Sequence, residues 1–139
     1  MDTRKAEALL EELSKFDGII ADRVEEVERL RTSVDGTSTT FNIDRVQATH
    51  EHDKRGRQLA ELVDLERELC EEISMLYRKK QSFIRELEKL GHYEYAVLYK
   101  RYAQGKDFYR IADELGRSYS WATMTHAKAK QNLQRILTS

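Results

Sequence analysis

The sequence predicts an all-α protein: a long antiparallel helical hairpin of coiled-coil character over residues 1–90, followed by a compact run of short helices over residues 91–139. Three observations carry that expectation. The chain has no proline, so nothing forbids long continuous helices. An apolar heptad pattern runs for more than four repeats before residue 90. Beyond it, Gly91, Gly105 and Gly116 alternate with the capping residues Asp107 and Ser118, and cut the chain into short pieces.

Residues from Thr3 to Ser33 read as one amphipathic helix. Leu9, Leu13, Phe16, Ile20, Val24, Val27 and Leu30 recur at steps of three and four. Gly18 interrupts this pattern at a cost of only about 1 kcal/mol. The stretch VDGTSTTFN then breaks the period. Asp35-Gly36 is a turn signal, and the threonines and serine favour a loop. Asn42 or Asp44 can cap the next helix, which is expected from Asp44 to Leu90. Its polar beginning contains Gly56. From Leu59 the heptad is clear: Leu59, Leu62, Leu69, Ile73, Leu76, Phe83, Leu87 and Leu90 occupy the two core positions, with Glu66 and Lys80 filling the gaps. Those two either fix the register or reach out to water.

Neither long helix has enough apolar surface to stand alone. Hydrophobic residues make up 40% of the chain and charged residues 35%, which suits narrow apolar stripes rather than one large core. Two hairpins combined as a four-helix bundle would bury the remaining stripe, so a homodimer or higher oligomer is expected, with the heptad residues Leu59 to Leu87 as its seam. The alternative is a hairpin closed within one chain.

The carboxy-terminal segment divides into three helices: Tyr93 to Tyr102, Phe108 to Leu115 behind the cap Asp107, and a last one running to Leu137 behind the cap Ser118. Gly91 closes the helix before them, and Gly105 suits a left-handed cap. This pattern has the requirements of a helix-turn-helix. Ala112 is the small residue where two helices cross, and Gly116 sits in the tight turn. Ile111, Leu115, Ala122, Leu133 and Ile136 face a support made by Val97, Leu98 and Tyr102.

Charge is distributed to match. Residues 93–139 carry eight bases against four acids, a local charge of +4, and no acid follows Arg117. The whole chain is at −1, so the rest carries −5. A basic end on an acidic body presents one face to a polyanion.

The segment LYKRYAQGKDFYRIADELGRSYSWATMTHAKAKQNL resembles the region 4 fold of sigma-70 factors, and most of all the small phage-encoded late transcription regulators of the ArpU and RinA type. The matching positions are Arg101-Tyr102 and Gly105, then Ile111-Ala112, Leu115-Gly116 and Ser118, then His126 and Ala129. The likeness covers about 45 of the 139 residues and none of the coiled-coil region. Thr125 and Lys130 stand where such helices usually carry apolar residues. The resemblance implies a phage protein that acts in the bacterial host cell and binds double-stranded DNA near promoters. The coiled coil is suited to pairing two copies, and equally to binding RNA polymerase or another regulator.

In this fold the amino-terminal half of the last helix enters the major groove. Its inward face is Ala122, Thr125, Ala129 and Leu133. The opposite face presents Tyr119, Ser120, Thr123, Met124 and Ala127, with Lys128 beside them and Ser118 at the cap. Ser120 and Thr123 can hydrogen-bond base edges, and Met124 can meet a thymine methyl. Arg117, Lys128 and Lys130 are placed for phosphates, as are Lys106 and Arg110 around the start of the preceding helix. Trp121 and His126 read as packing residues rather than base contacts, whereas Tyr119 suits either role. Tyr93, Tyr95, Tyr99, Tyr102 and Tyr109 are most simply core and rim.

An enzyme is not expected. Ser118, Ser120 and His126 have no orienting acid beside them, no glycine-rich phosphate loop occurs, and no cofactor is implied. His50 and His52 lack a second ligand pair, so no metal site is expected. The lone Cys70 suits a reducing cytoplasm, and neither a signal peptide nor a membrane span is expected. Two other readings share the residue pattern. A small terminase subunit also joins a helix-turn-helix to oligomerising helices, but its DNA-binding part usually comes first in the chain. An antirepressor-like coiled-coil module would carry the motif without binding DNA.

Overall fold

In a computed structural model of the chain, residues 2–43 and 49–139 are described, with side chains described for 2–34 and 53–139. The protein is all-helical, and among these residues there is no strand. Helix α1 spans Arg4–Ile43, α2 Thr49–Leu87, α3 His92–Leu98, α4 Phe108–Leu115 and α5 Tyr119–Thr138. None of them is long and apolar enough to cross a membrane.

Helix α1 continues through the stretch expected to be a loop. Residues 34–42, including Asp35-Gly36 and Asn42, are helical. Serine, threonine and glycine are weak helix formers, each about 0.5–1 kcal/mol worse than alanine, and without proline none of them stops a helix. Asp44 lies outside the described residues, and α2 is described from Thr49 rather than from Asp44. The side chains of His50 and His52 also lie outside them.

The chain forms two compact units, residues 1–17 with 77–139, and residues 18–76. Within the second unit, Arg23 of α1 pairs with Glu72 of α2 at 3.4 Å, and Arg31 pairs with Glu66 at 2.6 Å. Later residues of α1 therefore meet earlier residues of α2. Ile20 and Val27 are buried, and Leu59, Leu62, Leu69, Ile73 and Leu76 are half-buried, while the positions between them are mostly exposed. On the heptad line, Glu66 thus meets α1 of the same chain. Val24, expected on the buried stripe, is 39% exposed.

In the first unit the buried side of α1 is Ala6, Leu10, Leu13 and Phe16. Leu10 rather than Leu9 sits deepest, because the stripe follows steps of four and three from Ala6. The Phe16 and Phe83 rings meet edge to face at 5.5 Å. Ile84 and Leu87 are buried beside half-buried Phe83. Lys79 pairs with Glu12 at 2.5 Å and Lys80 with Asp17 at 2.6 Å, so the seam lysine Lys80 meets a carboxylate of α1. The amino-terminal turn also reaches α5: the Gln134 side chain accepts the Ala6 N–H at 2.9 Å.

Gly91 does not close α2. Its φ of −64° and ψ of 162° are extended, and it stands as the residue before α3. α3 runs on through a wide π-turn over Tyr99–Ala103, in which the Gln104 N–H donates to the Tyr99 carbonyl at 3.2 Å. Gly105 then turns the chain with φ +66°, a conformation that costs other residues about 1–2 kcal/mol. At the heart of this unit, Val97 of α3, Ile111 and Ala112 of α4, and Ala122 of α5 form a buried cluster, with Phe108, Leu115 and Trp121 against it.

Candidate nucleic-acid interface

The turn between α4 and α5 is built by its glycine. Gly116 adopts φ +66°, its N–H donates to the Asp113 carbonyl at 3.2 Å, and the Arg117 N–H donates to Ala112 at 2.9 Å. These paired bonds satisfy the last carbonyls of α4 in the Schellman arrangement. Both helix starts carry the caps expected from the sequence. The Asp107 carboxylate accepts the Arg110 N–H at 2.9 Å, and the Ser118 hydroxyl accepts the Trp121 N–H at 3.1 Å.

Helix α5 divides cleanly into two sides. Ala122, Ala129 and Leu133 are fully buried and Thr125 is half-buried, which is the inward line expected from the sequence. Tyr119, Ser120, Met124, Ala127 and Lys128 are exposed on the other side, together with Arg117 and Ser118 in the turn. Met124 is 71% exposed. Thr123 is half-buried, and its hydroxyl donates to the Ser120 carbonyl at 3.0 Å. The hydroxyl oxygen keeps its acceptor capacity.

The cations differ in how committed they are. Lys128 is exposed and has no ion pair among the described residues. Arg117 lies over the rings of Tyr93 and Trp121, 5.1 and 5.5 Å from their centroids, and donates to the Tyr93 hydroxyl. Lys130 pairs with Glu7 of α1 at 3.2 Å, with only 23% of its side chain exposed. Lys106 and Arg110 converge with Lys100 on Glu114, at 2.7, 3.3 and 3.0 Å. Hydrogen bonds from Lys106 and Lys100 hold the Glu114 carboxyl down at about 2. Of these three cations Arg110 is the most exposed, at 70%. The sequence marks Lys106 and Arg110 for this surface but not Glu114 as their shared partner, since Lys100 and Lys106 reach it from outside α4, nor Glu7, which Lys130 reaches from α5.

An aromatic column runs through this unit. The Tyr102 hydroxyl and His126 Nε2 are 2.7 Å apart, and their rings stack at 5.7 Å. His126 meets Phe108 at 5.0 Å, Phe108 meets Tyr119 at 6.3 Å, and Tyr119 meets Tyr109 at 4.4 Å. Burial pushes His126 down to about 4, with Lys130 and Arg101 adding to the effect, so the imidazole is neutral at pH 7. Arg101 lies 4.7 Å from the Phe108 centroid and donates to the Lys106 carbonyl. Trp121 is half-buried and edge-on to Tyr93 at 5.4 Å. Trp121 and His126 are thus packing residues, as expected.

Among the described residues no group of acids, histidines and cysteines is arranged to hold a metal ion. Compared with known proteins, the chain matches no family model, no curated protein and no solved structure.

Proposed function

We propose that this chain is a sequence-specific DNA-binding regulator of transcription, of the phage late-regulator kind that its carboxy-terminal segment resembles. In this reading α4, the Gly116 turn and α5 act as a helix-turn-helix on the support of α3, and α1 with α2 forms a hairpin that pairs with a second copy. One observation carries it: the outward side of the first half of α5 is open and free of acids, with Ser120, Met124 and Lys128 exposed next to Arg117. Helices that enter a major groove need such a side, with hydroxyls and an apolar tip for base edges and cations at the margin for phosphates.

Ser120 and Met124 are the base-reading positions, supported by Thr123 and Ala127. Lys128, Arg117 and Arg110 are the phosphate contacts nearest to free. Lys106 and Lys130 reach phosphates only by sharing or leaving the carboxylates they already hold. A single motif reads few base pairs, so pairing of two copies supplies affinity and sets the spacing of half-sites.

The test is selection of duplexes from a random library, followed by a salt titration with the winning duplex. Wild type is expected to enrich one motif. Lys128→Ala is expected to weaken binding and to reduce the log–log salt slope by about 1. Enrichment of no duplex by the wild type defeats the reading, and an unchanged slope in the variant defeats the assigned phosphate contact.

A further inference from the structure

Tyr109 and Tyr119 are large aromatic residues with no place in the core. Tyr109 is 72% exposed and Tyr119 44%. Their rings nevertheless lie 4.4 Å apart at a tilt of 32°, so each is held against the other. Tyr119 is braced in turn by Phe108, and Phe108 by His126, whose far side is fixed by the Tyr102 hydroxyl. The two outermost rings therefore stand at the end of a rigid column. Exposed tyrosines of this kind offer wide contact area with little conformational entropy left to lose, which is the character of an anchoring contact.

Their position indicates the occupant. Tyr109 is in the first turn of α4 and Tyr119 in the first turn of α5, so the pair bridges the starts of two helices. The neighbouring groups are one exposed cation, Arg110, which pairs with Glu114, and the exposed hydroxyls of Ser118 and Ser120. Of the acids near Tyr109, Asp107 caps α4 by accepting the Arg110 N–H, and Asp113 lies exposed one turn further along α4. A tyrosine face beside such groups is matched by the apolar spots of duplex DNA, of which the thymine C5 methyl in the major groove is the most prominent.

We propose that the Tyr109–Tyr119 pair is a second reading element that packs on thymine methyl groups and makes Tyr109, on α4, a specificity-determining residue. This rests on the DNA-binding reading above. It adds a contact outside α5 and predicts that the preferred site contains thymine beside the bases read by Ser120 and Met124.

The experiment uses the full chain and the duplex that wild type selects from a random library. A second duplex is identical except that deoxyuridine replaces every thymidine, which removes only the methyl groups. Wild type is expected to bind the thymine duplex more tightly than the uracil duplex. Tyr109→Ala is expected to reduce that ratio about fourfold, the value of roughly one buried methyl group, while Tyr109→Phe retains it. Circular dichroism of both variants controls for folding, which a residue 72% exposed does not govern. If Tyr109→Ala leaves the thymine-to-uracil ratio unchanged, the proposal is overturned while DNA binding stands. The same holds if the selected duplex contains no thymine. If wild type selects no duplex, the underlying reading falls, and the aromatic proposal falls with it.

Discussion

His126 shows how much one residue contributes in this protein. It is half-buried between Tyr102 and Phe108 and bonded to the Tyr102 hydroxyl, and burial keeps it neutral down to about pH 4. In the unfolded chain the imidazole takes up its proton near 6.5. Between those two values the unfolded state binds more protons than the folded state, so stability rises with pH. The contribution is complete above about pH 6.5 and is lost as pH falls towards 4. Denaturant midpoints of wild type are therefore expected to drop between pH 7 and 5.5. His126→Phe is expected to flatten that drop, and an equal slope in wild type and variant would remove His126 as its source. The carboxyl of Glu114, held down to about 2 by Lys106 and Lys100, acts at lower pH and with the usual carboxylate sign: its stabilisation is lost as pH falls below about 4.5.

At the scale of elements, the α4–α5 connection depends on Gly116. Its φ of +66° is open to glycine without strain, and no atom lies within 4 Å of where a Cβ would sit. The penalty for a side chain there is thus one of backbone conformation, not of space. Gly116→Ala is expected to destabilise the protein by about 1–2 kcal/mol in urea unfolding. A variant as stable as wild type would show that the turn is not what sets the angle between the helices. This connection was fully legible in the sequence, because a glycine after a helical run and a serine three residues before an amide act through contacts close in the chain. The π-turn over Tyr99–Ala103 was not legible, since a helix that widens by one residue leaves the apolar periodicity nearly intact. Residues 34–43 show the reverse error. Their turn-forming composition argues locally for a loop, but propensity is a weak determinant, and the backbone stays helical.

For the whole molecule, the heptad residues Leu59 to Leu76 are half-buried within one copy, and Glu66 on their line pairs with Arg31 of α1. In the proposed pairing, a second copy uses what is left. In the unit formed by residues 18–76, Val63 and Cys70 are one heptad apart, on a line flanking the seam; Val63 and Val24 remain 39% exposed and Cys70 is half-buried. An apolar line next to the seam marks a helix suited to a four-helix bundle rather than to a two-helix pair. Sedimentation velocity is expected to show a concentration-dependent dimer or larger species for wild type, and a monomer for Val63→Glu. A wild type that stays monomeric at high concentration would show that the hairpin does not pair with a second copy. The sequence marks the half-buried line from Leu59 to Leu76, because heptad spacing encodes it directly. It could not show whether α1 or a second copy fills that seam, because spacing carries no information about which helix is opposite. Nor could it show Ala6 bonded to Gln134 or Glu7 to Lys130, contacts between the two ends of the chain.

In the proposed function, the outward side of α5 meets duplex DNA. Methionine oxidation tests it within one molecule, because Met124 on that side and Met75 on α2 are similarly exposed, at 71% and 67%. Peroxide is expected to oxidise both at comparable rates in the free protein. With saturating duplex selected by the wild type, Met124 is expected to become protected while Met75 keeps its rate. Oxidation of Met124 at an undiminished rate in the bound protein would show that this side of α5 stays clear of the duplex.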